Sequence, residues 1–223
     1  MHIGLIGGIG PAATDYYYRW LIRTFAGRPQ ALELTIAHAD SPTLLSHLAE
    51  GKAAEQAAIF ERLTRRLQGA GAEAVAVTSI AGHFCIDAFK AVSPLPVIDL
   101  LSSVARRLDA AGYRRVGILG TKGAMVSALY GRLKGIEVMA PAGAALDQVH
   151  QAYVDMAVSG AVSAAQRRVF FDSGRRLTED AGVEAVLLGG TDLFLAFDGQ
   201  EPGFKAIDCA LLHMADIADE AAR

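Results

Sequence analysis

The sequence predicts an α/β protein made of two similar doubly wound lobes, related by pseudo-twofold symmetry with a cleft between them. Three observations lead there. Short apolar runs alternate with longer segments of helical period. The runs are continuous rather than alternating, as in parallel strands covered on both faces. Patterns from the first half recur in the same order in the second, which marks a duplicated unit of about 100 residues.

Taken in order, His2–Gly7, Leu32–His38, Ala74–Val77 and Val97–Ile98 read as strands of the first half. Val116–Leu119, Ile136–Met139 and Val186–Leu188 read as strands of the second. Ala13–Phe25 follows a Gly-Pro start and is the first helix. Ala53–Gln68 sets Ala57, Ile59, Phe60 and Leu63 against Glu55, Glu61 and Arg65, an amphipathic pattern. Leu100–Ala111, Ala124–Leu133, Leu146–Val158, Ala164–Asp180 and Lys205–Ala218 complete the helices. Strand–helix alternation of this kind is the signature of a doubly wound sheet.

The repeat is specific in its register. Ile3-Gly4-Leu5-Ile6-Gly7-Gly8 matches Val116-Gly117-Ile118-Leu119-Gly120-Thr121. Ala70-Gly71-Ala72-Glu73-Ala74-Val75 matches Ala181-Gly182-Val183-Glu184-Ala185-Val186, and Val97-Ile98-Asp99 matches Ala206-Ile207-Asp208. The expected domains are 1–103 with 205–223, and 104–204. The repeat pairs Ser79 with Gly190 and Gly8–Gly10 with Thr121–Gly123. Ligands of open α/β sheets bind outside the carboxyl ends of the strands. Two facing lobes would approach a ligand from opposite sides, a geometry suited to a carbon that loses a proton on one face and regains it on the other.

Composition narrows the partners. Hydrophobic residues are 52% of 223, charged residues 20%, and the formal charge is −3. This excludes a basic nucleic-acid surface or a polybasic membrane patch. No apolar run reaches the roughly 18 residues that span a bilayer, and the start Met1-His2-Ile3-Gly4-Leu5 lacks signal-peptide character. The expected location is cytoplasmic. Cys85 and Cys209 lie in apolar, helix-like surroundings, which speaks against a disulfide framework. His38 and Asp40 share strand spacing but lack a third ligand, so no metal is expected.

Three strand ends carry the candidate chemistry. Gly7-Gly8-Ile9-Gly10-Pro11 joins a strand to a helix. It reads as a turn that needs glycine, as a carboxylate-binding loop of free amides, or as a dinucleotide fingerprint, against which Pro11 removes one N–H. Thr78-Ser79-Ile80-Ala81-Gly82-His83 follows the third strand, and Gly189-Gly190-Thr191-Asp192 its counterpart in the second half. Ser79 and Asp192 also suit helix caps or first-turn acids. His83 suits a structural histidine, and Thr121 a turn residue.

These segments resemble the aspartate/glutamate racemase family over essentially the whole chain. In that family the first motif is typically Cys-Asn-Thr-Ala-His, and the match places Ser79 on the cysteine, Ile80 on the asparagine and His83 on the histidine. The second is typically Gly-Cys-Thr-Glu, which places Gly190 on the cysteine. Ile3–Thr14, Gly117–Gly123 with Ser127, Tyr130, Arg132 and Leu133, and Asp208 with His213 resemble the family's other signatures.

The resemblance implies cofactor-independent proton transfer at the α-carbon of a small amino acid or carboxylic acid, as in an amino-acid racemase or epimerase. It implies a homodimer and no cofactor. Ser79, helped by His83, would serve one face, and Asp192 or Thr191 the other. Gly8, Gly10, Thr78, Ile80, Thr121, Lys122, Gly123 and Gly190 would surround the substrate. A serine hydroxyl is far less acidic than a thiol of pKa about 8.5 and needs a neighbouring base. A one-sided decarboxylase or isomerase, or a non-catalytic binder of small acids, is the alternative. Leu44 aligns with an arginine that pairs with acidic side chains in relatives, so aspartate and glutamate are disfavoured as substrates.

Overall fold

The computed structural model describes residues 1–8 and 10–223. Ile9, inside the predicted glycine loop, lies outside the described residues. The chain divides into two units, Met1–Ser103 with Ala210–Arg223, and Val104–Cys209.

The first unit runs β1 (Ile3–Gly7), α1 (Pro11–Phe25), β2 (Leu34–His38), α2 (Ser41–Ala49), α3 (Ala53–Gly69), β3 (Ala74–Val77), a 3-10 segment (Ala81–Cys85), α4 (Ile86–Val92) and β4 (Val97–Ile98). Next comes α5 (Leu100–Ala110), whose first residues belong to this unit. The sheet order is β2-β1-β3-β4 and every pair is parallel. Ile3 stands level with Leu34 on one side and Ala74 on the other.

On one face of this sheet Ile3, Leu5, Ala74 and Ala76 meet Tyr17, Leu21 and Phe25 of α1, and Ala210, Met214, Ile217 and Ala218 near the C-terminus. On the other face α3 lies so close to β1 that a Cβ on Gly4 would stand 2.9 Å from Leu67 Cδ1. Phe60 and Phe89 are fully buried there, with ring centroids 5.3 Å apart. Each such ring contributes about 1.5–3 kcal/mol through burial.

The second unit runs β5 (Arg115–Gly120), α6 (Lys122–Val126), α7 (Ala128–Gly131), β6 (Glu137–Met139), α8 (Ala144–Ser159), α9 (Ala164–Glu179), β7 (Ala185–Gly189), α10 (Phe194–Phe197) and β8 (Ala206–Asp208). Its parallel sheet has the order β6-β5-β7-β8. The order of the first sheet is thus repeated strand for strand. α9 starts on a reciprocal cap in which Ser163 Oγ accepts from Gln166 N at 3.2 Å and Gln166 Oε1 accepts from Ser163 N at 2.7 Å. The closing helix α11 (Cys209–Ala221) follows β8.

The predicted fold class holds: two parallel four-stranded sheets clothed in helices. Local expectations are corrected in three places. The single helix expected over Lys205–Ala218 begins with a strand, because Ala206–Asp208 pairs with Val186–Leu188. The stretch between the second strand and the helix at Ala53, to which the sequence reading assigns no element, contains α2, where the Asp40 carboxylate accepts from Thr43 N at 2.9 Å and caps the helix. The helix expected over Ala124–Leu133 breaks at Ser127. Ala128, Leu129 and Tyr130 take φ values of 50°, 58° and 57°.

Three successive left-handed residues with side chains cost about 1–2 kcal/mol each. Ser127 Oγ holds the turn by accepting from Tyr130 N at 2.8 Å and donating to Gly123 O at 2.6 Å. The half-buried Ala128 tests the strain. Ala128→Gly is expected to stabilise the protein by about 0.5–1 kcal/mol despite the entropy glycine adds to the unfolded chain. Urea denaturation measures it, and a loss of stability would show that the turn is unstrained.

Candidate active site

In each sheet the strand order reverses its sense of winding between the two central strands, β1 and β3 in one and β5 and β7 in the other. The crevice outside the carboxyl ends of such strands is where open α/β sheets receive ligands. The predicted site residues fall at these ends.

In the first unit a chain of hydrogen bonds ties the tips of β1 and β3. Gly8 N donates to Thr14 Oγ1 at 3.0 Å, Thr14 Oγ1 lies 3.0 Å from Thr78 Oγ1, and Thr78 Oγ1 donates to Ile6 O at 3.4 Å. Ser41 Oγ donates to Gly8 O. The Gly8 amide, which the carboxylate-loop reading leaves free for an anion, is therefore bonded to the Thr14 side chain. Gly8 is required on steric grounds: its φ is 102°, and a Cβ there would stand 2.4 Å from His38 Nδ1. Gly10, also left-handed at φ 79°, precedes α1. Gly7, Gly8, Pro11, Thr14, Asp15, Ile36 and His38 line a pocket of about 190 Å³ beside this loop.

Ser79 and His83 meet, though through the backbone. His83 Nδ1 donates to the Ser79 carbonyl oxygen at 2.6 Å, and Nε2 accepts from Leu100 N at 3.2 Å. Both ring nitrogens thus serve backbone groups. The expected serine–histidine base pair is corrected to a histidine that fixes the backbone of Ser79. Ser79 Oγ accepts from Gly82 N at 3.5 Å. Ile80 is fully buried in the core, as is Leu44.

Behind His83 lies a buried polar cluster. Asp99 accepts from Leu101 N at 2.9 Å and Ser102 Oγ at 2.8 Å, and pairs with Lys90. Burial raises the Asp99 pKa, but His83, Lys90 and Ser102 outweigh it and bring the carboxyl down to about 2. His213 Nε2 donates to Ile98 O at 2.9 Å, and its Nδ1 lies 3.0 Å from the Tyr17 hydroxyl. Burial first, then the facing His83, lower the His213 pKa to about 3, against the smaller opposing pull of Ile98 O, Asp99 and Asp216.

The sign of the resulting pH dependence follows. Unfolded, His213 takes a proton below about pH 6.5; folded, it stays neutral down to about 3. The unfolded state binds more protons in that window, so stability falls as pH falls through it. From pH 7 to 5 the expected loss from this group is about 2 kcal/mol. His213→Asn is expected to flatten that slope while lowering stability at pH 7 by about 1–3 kcal/mol. Urea midpoints at the two pH values check this, and an unchanged slope would assign it elsewhere.

The second unit presents a different arrangement. Backbones crowd at the tips of β5 and β7: a Cβ on Gly120 would stand 2.4 Å from Gly189 O. Thr121 caps α6, accepting from Ala124 N at 3.2 Å. The exposed Lys122 pairs with Asp147 at 2.7 Å, and Gly123 faces open space. Tyr130, returned by the left-handed turn, hydrogen-bonds Thr121 and is pushed up to about 12 by burial.

Next to Gly190 stands a residue that the sequence reading did not single out. A Cβ on Gly190 would lie 2.3 Å from Tyr153 Cε2 and 3.0 Å from its hydroxyl. The Tyr153 ring, on α8, covers the strand end, and its hydroxyl donates to Asp192 Oδ2 at 3.2 Å. Burial, then the Asp192 charge, hold this phenol well above its ordinary pKa. Thr191 is fully buried, and among the described residues its Oγ1 has no hydrogen-bond partner. Cys85 and Cys209 are buried free thiols, and burial raises Cys85 to about 12, consistent with a packing role. Among the described residues no group of three or more metal-ligating side chains occurs, and no helix is long and apolar enough to cross a membrane.

Each unit holds a four-stranded parallel sheet with hydroxyl or carboxyl side chains just beyond its central strands, a doubly wound α/β class to which the comparisons give a family. Residues 6–217 match the Asp/Glu/hydantoin racemase family, and the chain belongs to it. The fold is similar to that of a candidate Asp/Glu racemase from Yersinia pestis, at 26% identity and TM-score 0.85 over all of both chains. It is similar to an aspartate racemase homologue from Pyrococcus horikoshii OT3 at 25% identity and TM-score 0.81, over 100% of this chain and 99% of that one. An allantoin racemase from Klebsiella pneumoniae shares the fold at 16% identity and TM-score 0.64, over 100% and 87% of the two chains.

Proposed function

We propose that the protein moves a proton on and off the α-carbon of a small amino acid or carboxylic acid without a cofactor, as an amino-acid racemase or epimerase. The observation that carries this reading is the Asp192–Tyr153 hydrogen bond beside the Thr191 hydroxyl, unpartnered among the described residues, at the end of β7 in a racemase-family chain. A buried carboxylate is a competent base when the proton lies within hydrogen-bond reach. A buried hydroxyl without a partner costs about 1–3 kcal/mol, a penalty that a ligand oxygen would remove. In the first unit Ser79, held by His83 and flanked by Thr78, is the group assigned to proton exchange. Gly8 and Gly10 belong to its surroundings in the first unit, and Thr121, Lys122, Gly123 and Gly190 to those of Asp192 in the second. The homodimeric state implied by the family, and the cytoplasmic location expected from the sequence, belong to the same reading.

One observation favours a second reading, proton delivery from one side only as in a decarboxylase or isomerase. The His83 ring nitrogens hydrogen-bond the Ser79 carbonyl and the Leu100 N–H, which favours a histidine that positions the backbone over one that serves the Ser79 hydroxyl.

Single enantiomers of small amino acids, and malonate-type acids, incubated in deuterated water with NMR and chiral detection, separate these outcomes. Deuterium incorporation with inversion is expected. Incorporation with retention, or carbon dioxide release, favours the one-sided reading. No exchange and no release across the panel refutes both.

A further inference from the structure

We propose that the Tyr153 phenol is the group that meets the substrate's carbon-bound hydrogen, and that it relays the proton to and from Asp192. The inference rests on the proton-transfer reading above and names a catalytic residue for it. The motif at the end of β7 does not include Tyr153, which reaches it from α8.

Four observations support placing the phenol there. The Tyr153 ring lies against bare backbone at Gly190, so close that any side chain at that position would overlap it. Glycine at 190 is therefore the condition for the ring's position, and the ring fills the space a side chain at that strand end would take. The hydroxyl stands 3.0 Å from where a Cβ on Gly190 would be, within the reach of a short side chain's terminal atom. It is also bonded to Asp192 Oδ2, so a proton arriving at the phenol has an acceptor 3.2 Å further on. Independently, the buried and unpartnered Thr191 Oγ1, one residue beyond Gly190, marks a place where a polar ligand atom is wanted.

The step balances as follows. The phenolic oxygen takes the proton from the α-carbon as its own proton passes to Asp192 Oδ2. The electrons of the broken C–H bond stay with the substrate as an enolate-like anion, and Asp192 becomes a neutral acid. The reverse sequence returns a proton to carbon and the charge to Asp192. Tyrosine never becomes a phenolate, which suits a site where burial and Asp192 both oppose that form. The Thr191 hydroxyl is free to donate to the oxygen on which charge develops, where a pre-aimed donor acts most strongly.

The test uses the full-length protein and the deuterium-exchange assay with the amino and carboxylic acid panel. Tyr153→Phe keeps the ring and removes only the relay. It is expected to lower the exchange rate about 10²–10³-fold, with KM within threefold and circular dichroism unchanged. Replacement of Tyr153 by 3-fluorotyrosine, which keeps ring and hydroxyl but acidifies the phenol, is expected to change the rate severalfold; a purely packing role leaves it unmoved. Exchange by Tyr153→Phe at the wild-type rate overturns the relay while leaving the proton-transfer reading intact. A wild-type protein that exchanges none of the acids overturns both.

Discussion

Asp192→Asn is expected to lower α-hydrogen exchange by about 10²–10⁴-fold, the range for loss of a general base. The substitution is close to isosteric, and an asparagine oxygen still accepts the Tyr153 hydroxyl, so the ring on Gly190 keeps its place. The melting temperature should therefore move by only a few degrees and KM by less than the rate. The comparison variant is Ser79→Ala. Its hydroxyl is assigned to the other half of a two-base racemase, so its loss should suppress inversion more than exchange. In a one-sided enzyme the same change should leave product formation within a fewfold of wild type. Measuring deuterium incorporation and chirality together on both variants separates the schemes. An Asp192→Asn protein that exchanges at the wild-type rate removes the carboxylate from the chemistry and leaves Thr191 and Tyr153 without a proton acceptor.

Much of the fold was legible because it is written in short apolar runs. β1, β3, β5 and β7 are buried on both faces and appear as continuous stretches such as Ile3–Gly7 and Ala185–Gly189. What escaped was of three kinds. Ala206–Asp208 is three residues long and abuts a helix, so helical periodicity absorbed it, although its repeat partner Val97–Ile98 had been read as strand. α2 carried a local signal, a capping Asp40 followed by Ser41-Pro42, that identifies a helix start. The left-handed turn at Ala128–Tyr130 carried none, since its residues have ordinary helix-compatible side chains and only Gly131 hints at a reversal.

The site divides in the same way. Ser79, His83, Gly190, Thr191 and Asp192 fall on strand ends and were reached through the repeat and the family motif. Their chemistry was not readable, because it depends on which atom of a neighbour each side chain meets. His83 lies one turn beyond Ser79 in sequence, yet its contact is with the carbonyl. Tyr153 sits 37 positions before Gly190 and within a helix of ordinary amphipathic pattern. The bare glycine was the visible half of that pair, and the ring that requires it became visible only in three dimensions.

The tightness of that pair sets up the largest stability effect expected in the molecule. Gly190→Cys puts a cysteine at the position that the resemblance aligns with the family's cysteine, but its Cβ would stand 2.3 Å from Tyr153 Cε2 and 2.8 Å from Cζ. A Cβ that close to a ring cannot be accommodated by small shifts, and Tyr153 is rooted in α8 and 5% exposed. Overpacking of this kind costs about 1–3 kcal/mol, occasionally more, which for a chain of this size lowers the melting temperature by roughly 2–4 °C per kcal/mol. Tyr153→Ala alone should also destabilise, by about 3–5 kcal/mol on the scale of an aromatic-to-alanine truncation in a core. Combined, the two changes should lose less than the sum of the separate losses, because removing the ring makes room for the thiol. The shortfall, a coupling of about 1–3 kcal/mol between touching residues, is the quantity to measure by urea denaturation of the four proteins. Full additivity would mean that the ring yields to the new side chain without cost. The glycine would then not be what holds Tyr153 beside Asp192, and the phenol's place at the strand end would need another cause.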